Sequence, residues 1–308
     1  MEPTHDIVII GAGAAGLTAG IYACRSNLDT MLLEKFMPGG QAALTAFVEN
    51  FPGFPEGISG FELMENMRKQ ATGFGLEIVT AEVMCIEPHE RAPFRICTSN
   101  RELLTSSIIV CTGVRPRRLE VPGERELFGR GISTCATCDG AFYRDMEVAV
   151  VGGGDSALDE GLFLTRFAST VHIIHRRDRF RAIHALVRKA EENPKIRFHL
   201  DTVVTTVNGA GAVESVSLRN VKTGEQSVLP VAGVFLYIGL IPNSEMFRGL
   251  LALDDRGFIT VDRNLMTSVP GIFAAGDVRD TPLRQIVTAA ADGALAAYSA
   301  GKYLESLE

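Results

Sequence analysis

The stretch that decides the fold is DIVIIGAGAAG, which covers residues 6–16. It opens with an apolar run that suits a buried parallel strand, and small residues suited to a helix follow through about Arg25. Between them lies a G-x-G-x-x-G turn. Its first glycine makes the turn, its second lets the backbone approach a pyrophosphate, and its third lets helix and strand pack closely. The helix N-terminus then faces the phosphates. A second apolar run, residues 30–33, leads to a carboxylate that can bind a ribose 2′-hydroxyl. The sequence therefore predicts a dinucleotide site formed by Gly11, Gly13, Gly16 and Glu34.

The same unit recurs in the middle of the chain. An apolar run at 147–151 precedes a G-x-G-x-x-A turn at 152–157, a helix is expected over 159–167, and a second strand over 170–174. Where the first unit carries Glu34, the second carries basic residues. A carboxylate repels a 2′-phosphate, whereas guanidinium groups bind it through charge-assisted hydrogen bonds. The first site should hold FAD or NAD, and the second should prefer NADP(H). The alternative is a solvated basic turn. The basic residues are His175, Arg176, Arg177, Arg179 and Arg181.

Composition excludes several classes of protein. The 308 residues predict about two domains, and 46% of them are apolar, as in an ordinary globular chain. A net charge of −7 is unsuited to general nucleic-acid binding. Residues 7–24 carry no charge, but their glycines make a poor membrane span, and the acidic residues before them do not resemble a signal peptide. We therefore expect no nucleic-acid partner, no membrane insertion and a cytoplasmic location.

The sequence CATC at 135–138 is the candidate reactive centre. Two cysteines at this spacing, beside βαβ units, are typical of a redox dithiol. Asp139 follows directly and is either a proton relay to a leaving thiolate or a turn former with Gly140. No second CxxC or paired histidine motif accompanies it, so we expect no metal site. The other four cysteines are expected to be small core residues: Cys24, Cys85, Cys97 and Cys111.

The C-terminal segment is expected to return to the first dinucleotide site. The run PGIFAAGD at 270–277 predicts a short strand that ends at Asp277. That carboxylate suits a sugar hydroxyl or a water beside phosphate, although an ordinary turn or helix cap stays open. A helix rich in small residues is expected over 284–304, where it could pack against a planar ring and stabilise negative charge on a reduced flavin. Two dinucleotide sites indicate electron transfer, for which NADPH and a flavin are the natural pair.

These motifs together resemble the bacterial-type, low-molecular-weight NADPH-dependent thioredoxin reductases along essentially the whole chain. The resemblance rests on GAGAAG at 11, PGGQ at 38, VENFPGF at 48, CATCDG at 135, GGGDSA at 152, HRRDRFRA at 175, FAAGDV at 273 and RQIVTAAADGA at 284. It implies an α/β fold with two Rossmann-like, three-layer domains. The NADPH domain, 118–240, is inserted into a discontinuous FAD domain, 1–113 and 245–308. It also implies a homodimer, with hinges near 112–116 and 238–243 that let the NADPH domain rotate.

The resemblance further implies roles for single residues. Cys138 exchanges electrons with the flavin, Cys135 attacks the disulfide of thioredoxin, and Asp139 gives and takes the proton. The FAD contacts are Gly40, Gln41, Asn50, Asp277, Arg284 and Gln285, beside Gly11, Gly13, Gly16 and Glu34. The NADPH contacts are Gly152, Gly154, Ser156, His175, Arg176, Arg177 and Arg181.

Two positions depart from the family pattern, and several other functions stay open. Ala141 stands where many relatives have phenylalanine, which could retune docking of thioredoxin, and Ala291 replaces a common glycine with little expected effect. The electrons could instead go to another small disulfide protein. A reductase that uses ferredoxin or reduced flavin, a redox-sensing flavoprotein without turnover and an oxygen-dependent dithiol oxidase are the remaining alternatives. Relatives driven by ferredoxin usually lack the glycine and arginine motifs that are intact here.

Overall fold

The computed structural model describes residues 5–45, 48–88 and 94–307. The chain divides into two compact units. The first combines Met1–Arg115 with Ile241–Glu308, and the second is Pro116–Leu240. The assignment of FAD to one unit and NADPH to the other, with the domain limits given above, stays a prediction.

Residues 5–116 supply most strands of the first unit. Its helices are α1 (Ala14–Arg25) and α2 (Gly60–Gly73), with a 3-10 turn at Gly40–Leu44. Its strands are β1 (His5–Ile10), β2 (Thr30–Glu34), β3 (Glu77–Thr80), β4 (Val83–Pro88), β5 (Phe94–Thr98), β6 (Glu102–Val110) and β7 (Val114–Pro116).

The second unit follows in chain order. Its helices are α3 (Glu124–Leu127), α4 (Ala136–Asp139), α5 (Asp155–Leu164) and α6 (His184–Glu191), with a 3-10 turn at Gly140–Tyr143. Its strands are β8 (Ile132–Ser133), β9 (Glu147–Gly152), β10 (Thr170–Ile174), β11 (Ile196–His199), β12 (Thr202–Asn208), β13 (Ser215–Asn220), β14 (Gln226–Pro230) and β15 (Gly233–Tyr237).

The C-terminal part completes the first unit. After β16 (Leu240–Pro242) come a 3-10 turn at Glu245–Phe247, strand β17 (Ile272–Ala274), a second 3-10 turn at Gly276–Val278 and helix α7 (Ile286–Glu305). The short strand β16 pairs with β7.

The sheet of the first unit has the order β3-β2-β1-β6-β5-β4, and β17 also pairs with β6. Strands β1, β2, β3, β6 and β17 pair in parallel, whereas β5 pairs antiparallel with both β6 and β4. On β1, Ile7 and Ile9 pack with α1, α2 and α7, while Val8 and Ile10 pack into the core on the opposite face. Burial on both faces explains why the last four residues of this strand form a continuous apolar run.

The second unit is also built on a parallel sheet. Its order is β11-β10-β9-β15-β8, and a separate antiparallel sheet has the order β12-β13-β14. One face of the parallel sheet packs on α5 and α6 through Val150 and Ile173, and the other packs on the antiparallel sheet through Val151 and Ile174. The α/β class and the two Rossmann-like sheets are therefore confirmed.

Two helix starts differ from the sequence expectation. The helix expected at 159–167 begins at Asp155, because the last residues of the glycine turn already form the first helical turn. The C-terminal helix begins at Ile286 rather than 284, because Gln285 is its N-cap and the backbone N–H of Gln285 donates to Thr288 Oγ1 at 3.1 Å.

The expectation for the remaining cysteines is wrong at two positions. Cys85 and Cys97 form a disulfide, and both are only half-buried. They lie opposite each other on β4 and β5, and the register of an antiparallel pair cannot be read from the spacing of the two residues. Cys111 is buried, as expected, and Cys24 is half-buried.

Among the helices that the structure describes, none has both the length and the apolar character needed to cross a membrane.

Candidate functional site

The first glycine turn lies between β1 and α1, at the carboxyl edge of the parallel strands. Gly11 has φ +104°, and a β-carbon there would lie 2.5 Å from the carbonyl oxygen of Cys111. A β-carbon on Gly16 would overlap the carbonyl oxygen of Gly11. Gly13 differs, because no described atom lies within 4 Å of where its β-carbon would be. Gly11 and Gly16 therefore allow close packing, and Gly13 leaves the backbone open to a ligand.

Glu34 ends β2 beside this turn, as the sequence predicts. Its Oε2 accepts a hydrogen bond from the backbone N–H of Ala12 at 2.8 Å, and its Oε1 accepts from Phe36 at 3.0 Å. A carboxylate has about four acceptor positions, so capacity remains for a ribose hydroxyl. Glu34 thus fixes the glycine turn and can also contact a sugar.

The PGGQ segment packs onto the same turn. The backbone N–H of Gly39 donates to the carbonyl of Ala12 at 2.8 Å, and a β-carbon on Gly40 would lie 3.3 Å from the α-carbon of Gly13. The neighbouring Gln41 is exposed. Gly40 is therefore placed at the open glycine that a dinucleotide would approach.

The C-terminal residues form a further part of the first unit. A β-carbon on Gly276 would lie 3.0 Å from the β-carbon of Ala15, so Asp277 follows directly on the contact with α1. Burial raises the pKa of Asp277 to about 6, although the charge of Arg284 opposes the shift. In the same unit, Asn50 Nδ2 donates to Gln285 Oε1 at 3.0 Å.

Arg284 has unused hydrogen-bonding capacity. Its guanidinium lies 4.3 Å from the ring centroid of Phe258, and burial lowers its pKa. Within the part of the chain that the structure describes, its buried Nε and Nη2 have no hydrogen-bond partner. Buried donors of this kind are normally satisfied. Together with the open glycine turn, they fit a large anionic or carbonyl-bearing ligand such as FAD.

The second glycine turn lies between β9 and α5. A β-carbon on Gly152 would lie 2.5 Å from the carbonyl oxygen of Tyr237, and one on Gly153 would overlap the ring of His175. At Gly154 the space around such an atom is empty of described residues to 4 Å. The turn therefore repeats the pattern of the first, with one open glycine at the start of the helix. Ser156, in the first turn of α5, is exposed.

A cavity of about 370 Å³ adjoins this turn. It brings together four predicted residues from separate segments, Gly152, His175, Arg176 and Arg181, and is also lined by Gly153. Arg177 is outside the described lining, but its charge reaches His175. The sequence interpretation gave no binding role to the other lining residues, which include Arg117, Arg118, Tyr237 and Ile238. The signal for the first two was a pair of arginines directly after an expected hinge.

His175 supports the arginine turn and is itself uncharged near neutral pH. Its Nε2 donates to the carbonyl of Arg179 at 3.1 Å, and its ring stacks on Phe180 with centroids 5.4 Å apart. Burial lowers the pKa of His175, and the hydrogen bond to Arg179 opposes this shift. The positive charges of the three neighbouring arginines lower the pKa further. The three arginines are exposed, so they are available to a phosphate.

The two cysteines of CATC are joined in a disulfide, Cys135–Cys138, at 2.10 Å. Cys135 is the N-cap of the short helix α4, and its backbone N–H donates to Ser133 Oγ at 3.0 Å. The next backbone N–H, of Ala136, donates to Tyr237 Oη at 2.6 Å. Both cysteines are partly exposed, so the bond is accessible to a thiol.

Asp139 lies at the end of α4. Burial raises the pKa of this carboxyl above its ordinary value, and a hydrogen bond with Ser133 opposes the shift. The charge of Asp139 in turn raises the pKa of Tyr143, which burial raises most. A carboxyl group with a raised pKa holds a proton at higher pH than an ordinary one, so Asp139 is suited to exchange a proton with a leaving thiolate beside it.

Comparison with known proteins agrees with this geometry. The family model for pyridine nucleotide-disulphide oxidoreductases matches residues 5–293. The thioredoxin reductase of Treponema pallidum is 46% identical over 311 residues, which cover 100% of both chains, and that of Listeria monocytogenes is 45% identical over 309 residues, covering 100% of this chain and 96% of its own. The crystal structure of thioredoxin reductase from Streptococcus pyogenes has a TM-score of 0.90 at 43% identity, over 98% of each chain.

Proposed function

This chain belongs to the low-molecular-weight thioredoxin reductases of the pyridine nucleotide-disulphide oxidoreductase family, and we propose from that premise that it reduces the disulfide of thioredoxin with electrons from NADPH. The electrons pass through FAD and the Cys135–Cys138 disulfide. The observation that carries the proposal is the partly exposed disulfide in the same unit as an arginine-lined dinucleotide cavity.

We propose that the first unit holds FAD and the second NADPH. FAD supplies a ring that accepts a hydride and passes two electrons onward. In the first unit, Gly13 and Gly40 leave room at the phosphates, Glu34 contacts the sugar, and Arg284 offers its unused donors. The other predicted contacts are Gly11, Gly16, Gln41, Asn50, Asp277 and Gln285. In the second unit, Gly152, Gly154 and Ser156 face the pyrophosphate, His175 supports the turn, and Arg176, Arg177 and Arg181 bind the 2′-phosphate.

The dithiol performs the exchange with the partner. Two electrons break the Cys135–Cys138 bond and leave both sulfurs reduced. The Cys135 thiolate attacks one sulfur of thioredoxin, which forms a mixed disulfide and expels the other sulfur as a thiolate. Cys138 then attacks Cys135, releases reduced thioredoxin and restores the disulfide. Asp139 donates a proton to a leaving thiolate and recovers it when the next thiol ionises.

We also propose that the chain acts as a homodimer. Family membership supports this, as do the exposed apolar side chains Leu295 and Tyr298 on α7, which a second copy could cover. Sedimentation equilibrium tests the proposal. A mass that stays at 33.2 kDa at micromolar concentration would contradict it.

The test of the proposed function is NADPH oxidation that depends on thioredoxin. We expect turnover with NADPH, little with NADH, and none in the Cys135→Ser variant. A glutaredoxin-like protein and a peroxiredoxin serve as competing acceptors. Turnover with one of those acceptors and none with thioredoxin would show that the partner is a different disulfide protein, reduced by the same chemistry.

A further inference from the structure

One side chain of the second unit contacts both the disulfide helix and the dinucleotide cavity. Tyr237 ends β15, its hydroxyl accepts the hydrogen bond from Ala136, and the residue lines the cavity beside Gly152. We propose that Tyr237 is a positioning residue that ties the dithiol helix α4 to the wall of the NADPH cavity and sets the reactivity of Cys135. The role of Tyr237 in thiol chemistry rests on the proposed function, whereas its hydrogen bond with Ala136 is independent of that proposal.

The hydroxyl fixes the N-terminal end of α4. The first N–H groups of a helix have no partner within it, and that of Ala136 lies next to Cys135. Ala136 is fully buried, so water is a poor substitute as acceptor. With this amide held by Tyr237, α4 keeps the hydroxyl of Thr137 3.3 Å from the sulfur of Cys135. A hydroxyl that donates to a thiolate stabilises it and lowers the pKa of the thiol, so this arrangement favours the nucleophile.

The backbone of Tyr237 fixes its distance from the glycine turn. Tyr237 pairs with Gly152 in the register of β15 and β9, and the carbonyl of Tyr237 occupies the space that a β-carbon on Gly152 would need. A dinucleotide on this turn is therefore bound beside the residue that holds α4. Glycine is required at position 152 partly because the carbonyl of Tyr237 lies against it.

Burial and acidic neighbours keep the tyrosine protonated. Burial raises the pKa of Tyr237 well above its ordinary value, and the charges of Glu160 and Asp139 raise it further, although the hydrogen bond from Ala136 opposes the shift. The pKa of Glu160 is itself raised to about 7, by burial and by the charge of Asp159. Of the side-chain atoms described, Glu160 Oε2 is buried without a hydrogen-bond partner. Tyr237 thus remains a neutral acceptor for Ala136 over the range in which thiols titrate.

The experiment measures Cys135 in a protein that needs neither NADPH nor thioredoxin. Cys138→Ser leaves Cys135 as the one thiol of the pair, and its alkylation by iodoacetamide is followed by peptide mass spectrometry between pH 5 and 10. The variants are Tyr237→Phe, which removes only the hydroxyl, and Tyr143→Phe as a matched control. Tyr143 is a half-buried tyrosine near Asp139, and its ring packs edge-on against Phe235 at 5.3 Å.

Tyr237→Phe should slow alkylation of Cys135 at pH 7 about tenfold, the size of one buried hydrogen bond. The rate should converge with that of the parent at high pH, because the apparent pKa of the thiol has risen. Tyr143→Phe should stay within about twofold of the parent, since it leaves this bond in place. An unchanged pH profile in Tyr237→Phe would overturn the proposal, and so would an equal change in both variants.

A second variant tests the cavity side. Tyr237→Ala removes the ring as well and should weaken NADP⁺ binding in a titration, whereas Tyr237→Phe should not. Equal NADP⁺ affinity in the parent and in Tyr237→Ala would show that the ring does not contribute to binding in the cavity. That result would overturn the proposal. FAD content in each variant reports whether the protein has folded. If the unmodified chain, with both cysteines present, fails to reduce thioredoxin, the proposed function fails, while the alkylation profile still decides the role of Tyr237.

Discussion

The arginines beside the second glycine turn should decide which nicotinamide cofactor is used. Arg176 and Arg181 line the cavity and are exposed, and the carboxylate of the first unit has no counterpart there. We expect that replacing both with glutamine raises the KM for NADPH and leaves the KM for NADH nearly unchanged. The reason is that NADH lacks the 2′-phosphate that these guanidinium groups bind.

The size of the effect follows from the exposure of the two side chains. Hydrogen bonds to charged groups contribute about 1.5–3 kcal/mol, and exposed groups fall at the lower end because water screens them. About 1.5 kcal/mol for each arginine makes about 3 kcal/mol for the pair. Since 1.4 kcal/mol is a factor of ten, we expect the KM for NADPH to rise roughly 100-fold.

The assay is steady-state reduction of thioredoxin with each cofactor. Arg179→Gln is the matched control, because Arg179 is an exposed arginine of the same turn whose backbone carbonyl serves His175 and whose side chain is outside the described cavity lining. It should change neither KM more than about twofold, as expected for a surface substitution. Equal increases for NADPH and NADH in the Arg176→Gln, Arg181→Gln variant would refute the reasoning.

Three further substitutions separate the roles of the other groups. Cys135→Ser should retain reduction of the flavin by NADPH, measured by flavin absorbance, and lose all turnover of thioredoxin, measured by NADPH oxidation. Retained turnover would show that Cys135 is not the attacking thiol. Asp139→Asn should slow thioredoxin turnover roughly 100-fold with FAD content unchanged, because an amide cannot exchange a proton with the leaving thiolate; loss of FAD would indicate a structural role. Gly153→Ala should reduce stability to urea by about 1–3 kcal/mol, because its β-carbon would overlap the ring of His175. Its control is Gly154→Ala, whose added β-carbon would have no described atom within 4 Å. This variant should keep the stability of the parent and bind NADPH more weakly.

Much of the fold could be predicted because the two glycine turns carry their own structural context. An apolar strand before each turn and a helix of small residues after it leave few other arrangements, and Ile7 to Ile10 are buried as that pattern requires. The CATC spacing likewise predicts a dithiol, and the structure forms that disulfide.

What the sequence interpretation missed depends on register and on distant segments. Cys85 and Cys97 meet only because two antiparallel strands align them. Tyr237 contacts Ala136, which lies 101 positions earlier in the chain, and no sequence motif marks this contact. The sequence groups His175 with its basic neighbours, whereas burial lowers its pKa and its hydrogen bond to Arg179 gives it a supporting role in the turn. Local patterns predict turns and strands, whereas long-range side-chain contacts need the folded chain.

The most direct test of the electron path is an anaerobic titration of the purified protein with NADPH, followed by flavin absorbance, with NADH as the control. We expect uptake of about two equivalents of NADPH, one for FAD and one for the Cys135–Cys138 disulfide, and a weak response to NADH. A flavin that stays oxidised in excess NADPH would contradict it.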